Sequence, residues 1–184
     1  MAGELQLGGS TVATHTGSGA SAVVTIDNGV KFPAGNAINV ASVVRTDATF
    51  GTNSATPQTA LTLNYTPKTT SSKILVIFNL MIGSAGSSHT KVAMFRDSTE
   101  IFKGDNEGNR IGHAAYTYQP DTGESQFIGS TFLDSPSTNA QVTYTARLGS
   151  NGSVIIYLNR TARDDNYANY DGRYASSLTL IEFA

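Results

Sequence analysis

Apolar and polar residues alternate with a period of two through most of this chain, the spacing of strands with one buried face. Leu61, Leu63 and Tyr65 interleave with Thr62, Asn64 and Thr66. Val142, Tyr144 and Ala146 interleave with Thr143, Thr145 and Arg147. Near the end, Tyr174–Phe183 places Leu178, Leu180 and Glu182 on one side. The most apolar run, Lys73–Ile82, is interrupted only by Asn79. It predicts a central strand buried on both faces. Further strands are predicted at Ala22–Ile26, Ala37–Arg45, Lys91–Arg96, Glu100–Phe102, Ala114–Tyr118 and Gln126–Leu133. Gly149-Ser150-Asn151-Gly152 predicts a hairpin turn leading into a second arm, Val154–Leu158.

The intervening segments carry turn chemistry. Asp27-Asn28-Gly29 tolerates left-handed backbone and predicts a small hairpin from Val23 to Phe32. Gly8-Gly9-Ser10 and Gly17-Ser18-Gly19 leave the first twenty residues extended or loop-like. Ala48–Gln58, Gly104–Gly112 and Asn159–Arg173 read as loops. No window shows the i, i+3, i+4 apolar spacing of a capped helix. Eight to ten short strands with regular turns predict an all-β antiparallel sandwich of jelly-roll type with an N-terminal extension. The division is residues 1–36 for the extension and 37–184 for the head. A final apolar strand this close to the chain end belongs inside a sheet or at a subunit interface, because a bare edge invites aggregation.

Composition narrows the function classes. The chain has 184 residues, no cysteine and a net charge of −2. Disulfides and thiolate metal sites are therefore excluded, and no basic surplus exists to neutralise phosphates. Nucleic acid is not an expected partner. Charged residues make up 14%, against roughly 25% in ordinary globular chains. Hydroxyls, amides and glycine take their place. Such a surface suits a protein that buries polar area against copies of itself, and it is common in extracellular and virion β-proteins. The start, Met1-Ala2-Gly3-Glu4-Leu5, lacks the basic and apolar regions of a signal peptide. No run is long enough to span a bilayer, so membrane insertion is not expected.

Catalytic and metal motifs are sparse. His15, His89 and His113 are dispersed and form no H-x-x-x-H or H-x-H pair; a ligand set would need symmetry to multiply one of them. Asp105-Asn106-Glu107-Gly108-Asn109 and Asp164-Asp165-Asn166 with Asp171 offer oxygens of the kind Ca²⁺ prefers. They lack the spaced D-x-D-x-D-G pattern and also serve ordinary turns. There is no G-x-S-x-G elbow and no phosphate-cradling glycine loop. No enzyme activity and no cofactor are expected. The distinctive feature is tyrosine placement. Tyr167 and Tyr170 share a loop with Arg163 and Arg173, and Tyr116 and Tyr118 follow the loop that holds Arg110 and His113. Rings beside Arg, Asp and Asn make a surface for a glycan or protein partner, or pack between subunits. Val23, Val24, Ile26, Val30 and Phe32 are the candidates for attachment to a particle. They dock there, wrap a neighbouring subunit, or add one more hairpin to the head.

A set of ordered motifs carries a resemblance across residues 37–184. Tyr65-Thr66-Pro67 precedes Ser71-Ser72-Lys73-Ile74-Leu75-Val76, and Phe95-Arg96-Asp97 leads to Ile101. Phe132-Leu133-Asp134-Ser135-Pro136 precedes Val142-Thr143-Tyr144. Ile156 through Leu158-Asn159-Arg160 precedes the closing Ser177-Leu178-Thr179-Leu180-Ile181-Glu182. In this order they resemble the C-terminal β-domain of bacteriophage tail-fibre and virion surface proteins. The resemblance implies a jelly roll similar to TNF and C1q heads, assembled as a homotrimer. A short front end fits a tail tip, accessory fibre or knob better than a long fibre. The expected protein is a virion structural component made in the host cytoplasm, displayed on the virion surface and active in host attachment. Its expected partners are its own copies, tail or capsid proteins, and a host surface glycan or protein. The alternative is a capsid-decorating cement protein; a carbohydrate-active enzyme or lectin is a more distant third.

Overall fold

A computed structural model describes residues 3–7, 10–18, 21–26 and 35–184. The chain divides into two compact units, residues 1–36 with Ala184, and residues 37–183. The smaller unit holds β1 (Gly3–Leu7), β2 (Ser10–Thr16) and β3 (Val23–Ile26) in a three-stranded antiparallel sheet. The first twenty residues are thus more than loop: Gly3–Leu7 pairs with Ser10–Thr16, with a bulge between Leu5 and Gln6. Val23–Ile26 pairs back onto the second strand, Val24 opposite His15. The second arm of the expected Val23–Phe32 hairpin lies outside the described residues.

The larger unit is the sandwich. Its strands are β4 (Ala37–Arg45), β5 (Gly51–Thr52), β6 (Gln58–Tyr65), β7 (Lys73–Ser84), β8 (Ser88–Arg96) and β9 (Thr99–Ile101). They continue as β10 (Ala115–Gln119), β11 (Ser125–Asp134), β12 (Val142–Gly149), β13 (Ile156–Leu158) and β14 (Ser176–Phe183). One sheet runs β10-β8-β12-β6, with β9 beside β8. The other runs β4-β14-β7, with β11 on the far edge of β7 and β13 and β5 continuing beyond β14. Reading the eight long strands in chain order, neighbours in each sheet are the first, last, third and sixth, and the second, seventh, fourth and fifth. That is the double Greek key of a jelly roll, all antiparallel. The final strand sits inside its sheet, between β4 and β7.

The core lies between the sheets. Ile74, Val76, Phe78, Leu80 and Ile82 on β7 face Tyr144, Ala146 and Leu148 on β12 and Val92 and Met94 on β8, all fully buried. A bulge opposite Ala146–Arg147 puts the neighbours Ala60 and Leu61 both in the core. Two expectations need correction. The strand at Lys73–Ser84 is central but not buried on both faces: Leu75, Ile77, Asn79 and Met81 are only half-buried, because within residues 37–183 no further layer packs on that side. Nor do Val142–Gly149 and Val154–Leu158 form a hairpin. Both edges of β12 are already paired with β6 and β8. The chain therefore crosses to the other sheet, where β13 pairs with β7 and β5.

Polar residues buried in the sandwich join its two sheets. Glu182 on β14 is fully buried; it accepts 2.6 Å hydrogen bonds from the Tyr65 hydroxyl and the Lys68 backbone N–H. Asp134 on β11 accepts from Arg96 at 2.6 Å and from the Tyr144 hydroxyl at 2.7 Å. Gln119 on β10 accepts from Thr90 and donates to the Ile82 carbonyl. Burial, and then the adjacent carboxylate, drive the Tyr65 and Tyr144 hydroxyls far above the usual phenol range.

Two measurements check these clamps. Asp134→Ala strands the Arg96 charge and the Tyr144 hydroxyl, so urea unfolding should show a loss on the order of 3 kcal/mol. Because the folded-state values of Tyr65 and Tyr144 lie above the unfolded value of 10.0, their contribution is complete below pH 10 and declines as pH rises beyond it. Ultraviolet titration should show both phenols ionising only together with unfolding.

Candidate contact surfaces

The sequence-predicted contact residues fall into two separate places. Tyr116 and Tyr118 lie on the outer face of β10, 57% and 48% exposed. Register sets their neighbours: Tyr116 stands opposite Lys91 and Tyr118 opposite His89 on β8. The His89 ring packs against both, 5.4 Å from Tyr116 and 4.9 Å from Tyr118. Tyr118 also shares a 2.5 Å hydrogen bond with the Ser87 hydroxyl.

The loop before β10 folds beside this aromatic row. Glu107 and Arg110 pair through their backbones in a tight turn. The Gly112 N–H donates to the Asn106 side chain at 2.8 Å, and the Gly104 N–H reaches the His113 carbonyl. Gly112 is obligatory here, since a Cβ would strike the Gly104 backbone. The closed loop presents Asn109, Arg110 and Ile111 along a cleft of about 540 Å³, whose other walls include Lys91, His113 and Tyr116. His113 is held from behind by Glu100, 3.2 Å from its Nδ1. Sequence reading reached the tyrosines, Arg110 and His113. It passed over Lys91, although the alternation that sends Val92 and Met94 into the core necessarily points Lys91 outward.

Arg163, Tyr167, Tyr170 and Arg173 belong to the second place, an Ω-like loop between β13 and β14. Both strands lie on the same edge of β7, so the loop interrupts that ladder at Met81. The gap is filled locally. Asn159, with φ of 65°, donates its N–H to the Met81 carbonyl at 2.8 Å, and the Met81 N–H donates to the Ser176 hydroxyl at 3.0 Å. Ser176 donates in turn to the Asn159 side chain at 2.6 Å. A Cβ at Gly83 would collide with the Arg160 carbonyl, so glycine permits the loop base to seat.

Within the loop the charges pair with one another. Asp164 bridges Arg160 and Arg173 at 2.9 and 2.7 Å. Asp171, with a side chain only 5% exposed, meets Arg163 at 3.1 Å and accepts from Thr161 at 2.9 Å. Tyr167 and Tyr170 stack with centroids 5.1 Å apart and planes 15° from parallel. With Arg163, Asp165 and Asn166 they line a shallow cleft of about 340 Å³. Arg173 is not among its lining residues; its guanidinium is turned to Asp164. The acidic groups of this loop are committed to arginines, and among the described residues no three His, Asp or Glu side chains converge on a metal position.

In the N-terminal unit, Val23 and Val24 are 55% and 66% exposed on β3. Ile26 lies in the same strand. Val30 and Phe32 lie outside the described residues.

A further exposed face includes the side of Lys73–Ile82 that the sequence assigned to the interior. On the outer face of the sheet β4-β14-β7-β11, register aligns Val40, Ile181, Leu75 and Leu133 in one row. The next row is Ser42, Thr179, Ile77 and Thr131, and the next Val44, Ser177, Asn79 and Gly129. Met81 and Phe127 follow. None of these side chains is charged. Val40, Val44, Phe127 and Leu133 are each about three-fifths exposed.

No family model and no curated protein matches the sequence. Among solved structures, the chain is similar to one in the structure of infectious bursal disease virus Gx strain, at 11% identity and a TM-score of 0.40. The match covers 95% of this chain and 52% of that one, so this chain spans about half its length.

Arg163, and then the Thr161 hydroxyl, hold Asp171 below the ordinary carboxylate value of 3.8. The contribution of this pair is therefore present above pH 3.8 and is lost as pH falls through the lower folded-state value. Carboxyl NMR should give an Asp171 midpoint below 3.8, and Arg163→Gln should raise it.

Proposed function

We propose that this chain is a non-enzymatic structural protein of a bacteriophage particle, assembled as a homotrimer and displayed at the surface as a fibre, tail tip or knob that takes part in host adsorption. The observation that supports it best is the outer face of the sheet β4-β14-β7-β11, uncharged from the Val40–Leu133 row to Phe127. A single soluble chain ordinarily places Lys, Glu, Asp or Arg at such positions. Here four aligned strands offer, apart from Lys73 at one end of β7, only aliphatic, aromatic, hydroxyl and amide groups across a footprint of about 500 Å², at the upper end of what solitary proteins leave uncovered.

The occupant is a second copy of the same chain. An uncharged face needs no complementary field on its partner, and around a three-fold axis each copy can present it to a different, equally uncharged patch of its neighbour. Low charge over the whole sequence agrees with this. The motif order across residues 37–184 supports the phage assignment. The committed carboxylates of the Asn159–Tyr174 loop favour a contact surface over a hydrolytic centre.

A second reading, a capsid-decorating protein, draws on the compact N-terminal unit with Val23 and Val24 exposed. In that case the unit would fasten the protein to a lattice, and the protein would bind empty capsids at fixed stoichiometry.

Light scattering coupled to gel filtration tests the central claim. The wild type should run near three times the 19.3 kDa chain mass. Leu133→Asp and Val40→Lys, at exposed positions of the face, should yield folded single chains with unchanged circular dichroism. A wild-type monomer at micromolar concentration would sink the self-association reading.

A further inference from the structure

We infer that the cleft between the 104–113 loop and the outer face of β8 and β10 is a binding site for a carboxylate-bearing sugar. The inference rests on the reading above only for the source of that sugar, the surface of a host cell; the chemistry of the cleft stands on its own residues.

Charge is the first ground. In a chain with so few charges, the guanidiniums of Arg45, Arg96, Arg160, Arg163 and Arg173 each meet a carboxylate, and that of Arg147 lies over the Phe95 ring and donates to Thr145. The cations of this cleft do not, among the described residues. Lys91 donates only to the Ala55 backbone carbonyl, at a long 3.3 Å. Arg110 donates through Nε to the Glu107 backbone carbonyl, also at 3.3 Å, leaving its terminal nitrogens uncommitted. Both line the cleft, and no Asp or Glu lines it with them. Glu100 is engaged with His113 Nδ1 at 3.2 Å and is not among the residues that line the cleft. The cleft therefore offers two cations to an anion, one of them a planar fork suited to a carboxylate.

Shape and surface supply the second ground. The Tyr116 ring is more than half exposed and is steadied through His89, which also packs on Tyr118. A fixed, open tyrosine face suits the C–H face of a pyranose, while its hydroxyl and the Asn109 amide suit ring hydroxyls. Ile111, 67% exposed, forms an apolar lip. The volume of about 540 Å³ is in the range of small-ligand sites. The loop is closed at its base before any ligand arrives, through the Gly104–His113 and Asn106–Gly112 hydrogen bonds. Little ordering remains to be done on binding.

The Tyr167–Tyr170 cleft makes an internal control. It has a stacked aromatic pair too, but its Arg163 is spent on Asp171 and its wall includes Asp165. It has no uncommitted cation to offer a carboxylate.

Isothermal calorimetry on the full chain, with trigalacturonate and sialyllactose as probes, tests the assignment. At least one should bind, and its neutral methyl ester should bind at least tenfold more weakly. Arg110→Gln and Lys91→Gln should each weaken binding at least fivefold, Tyr116→Ala should weaken it more, and Tyr170→Ala should leave it unchanged. Circular dichroism and gel filtration of each variant separate lost binding from lost folding. Binding of neither probe, equal binding of the methyl ester, or full binding by Tyr116→Ala would overturn the inference. So would an acidic peptide binding as tightly as the sugar, which would reduce the cleft to a charge patch. The two proposals fail separately. A monomer that binds a carboxylated sugar removes the assembly reading and keeps this one, and a trimer that binds neither probe does the reverse.

Discussion

A β-sheet has two faces, and a sandwich of two sheets covers only the inner one of each. Everything distinctive about this molecule follows from how the two outer faces are finished. The inner faces are conventional: the fully buried apolar side chains of β7 meet those of β8 and β12, and Glu182, Asp134 and Gln119 tie the sheets together through satisfied hydrogen bonds. Burying those groups is tolerable only because each has its partners, and the same partners make the packing specific. The outer faces then diverge. One is uncharged across four strands except for Lys73 at its end. The other carries His89, Lys91, Tyr116 and Tyr118 in two adjacent cross-strand pairs. The first suits burial against like surface; the second suits a polar, planar ligand.

Much of the fold was legible because period two is a local property. Ala37–Arg45 appears with the predicted limits, and Leu178, Leu180 and Glu182 share a face as their spacing requires. What the chain does not write locally is which strand pairs with which. The Gly149–Gly152 turn has the composition of a hairpin, yet β12 already has two neighbours and the chain must change sheets. The run Lys73–Ile82 shows the converse limit. A continuous apolar stretch states that both faces avoid charge. It does not state whether the second face is covered by this chain, and here Leu75, Ile77 and Met81 remain half-exposed. The pairing of Gly3–Leu7 with Ser10–Thr16 was hidden by glycine and threonine, whose presence suits loop and strand alike.

The contact surfaces were legible as ingredients and not as places. Six residues proposed together separate into β10 and the Asn159–Tyr174 loop, and Arg173 turns away from the cleft toward Asp164. Lys91 needed only the parity of its strand to be found. The uncommitted state of Arg110 and Lys91 could not be read from sequence, since it depends on where every carboxylate ends up.

The break in the β7 ladder at Met81 has a consequence for how this molecule can change. Pairing with β7 stops at Leu158 and resumes at Ser177, and the missing rung is supplied by the Asn159 main chain and the Ser176 hydroxyl alone. The segment between is tied to the sandwich at that stem and again at the β10–β11 turn, where the Ala162 and Arg163 N–H groups donate to the Thr122 carbonyl, and its own arginine–aspartate lattice organises the rest. Lengthening it alters the cost of closure only logarithmically. Provided Asn159, Ser176, Gly83 and the main-chain contact with Thr122 are kept, evolution can rewrite the tyrosine-bearing tip between these anchors while the framework beneath folds unchanged.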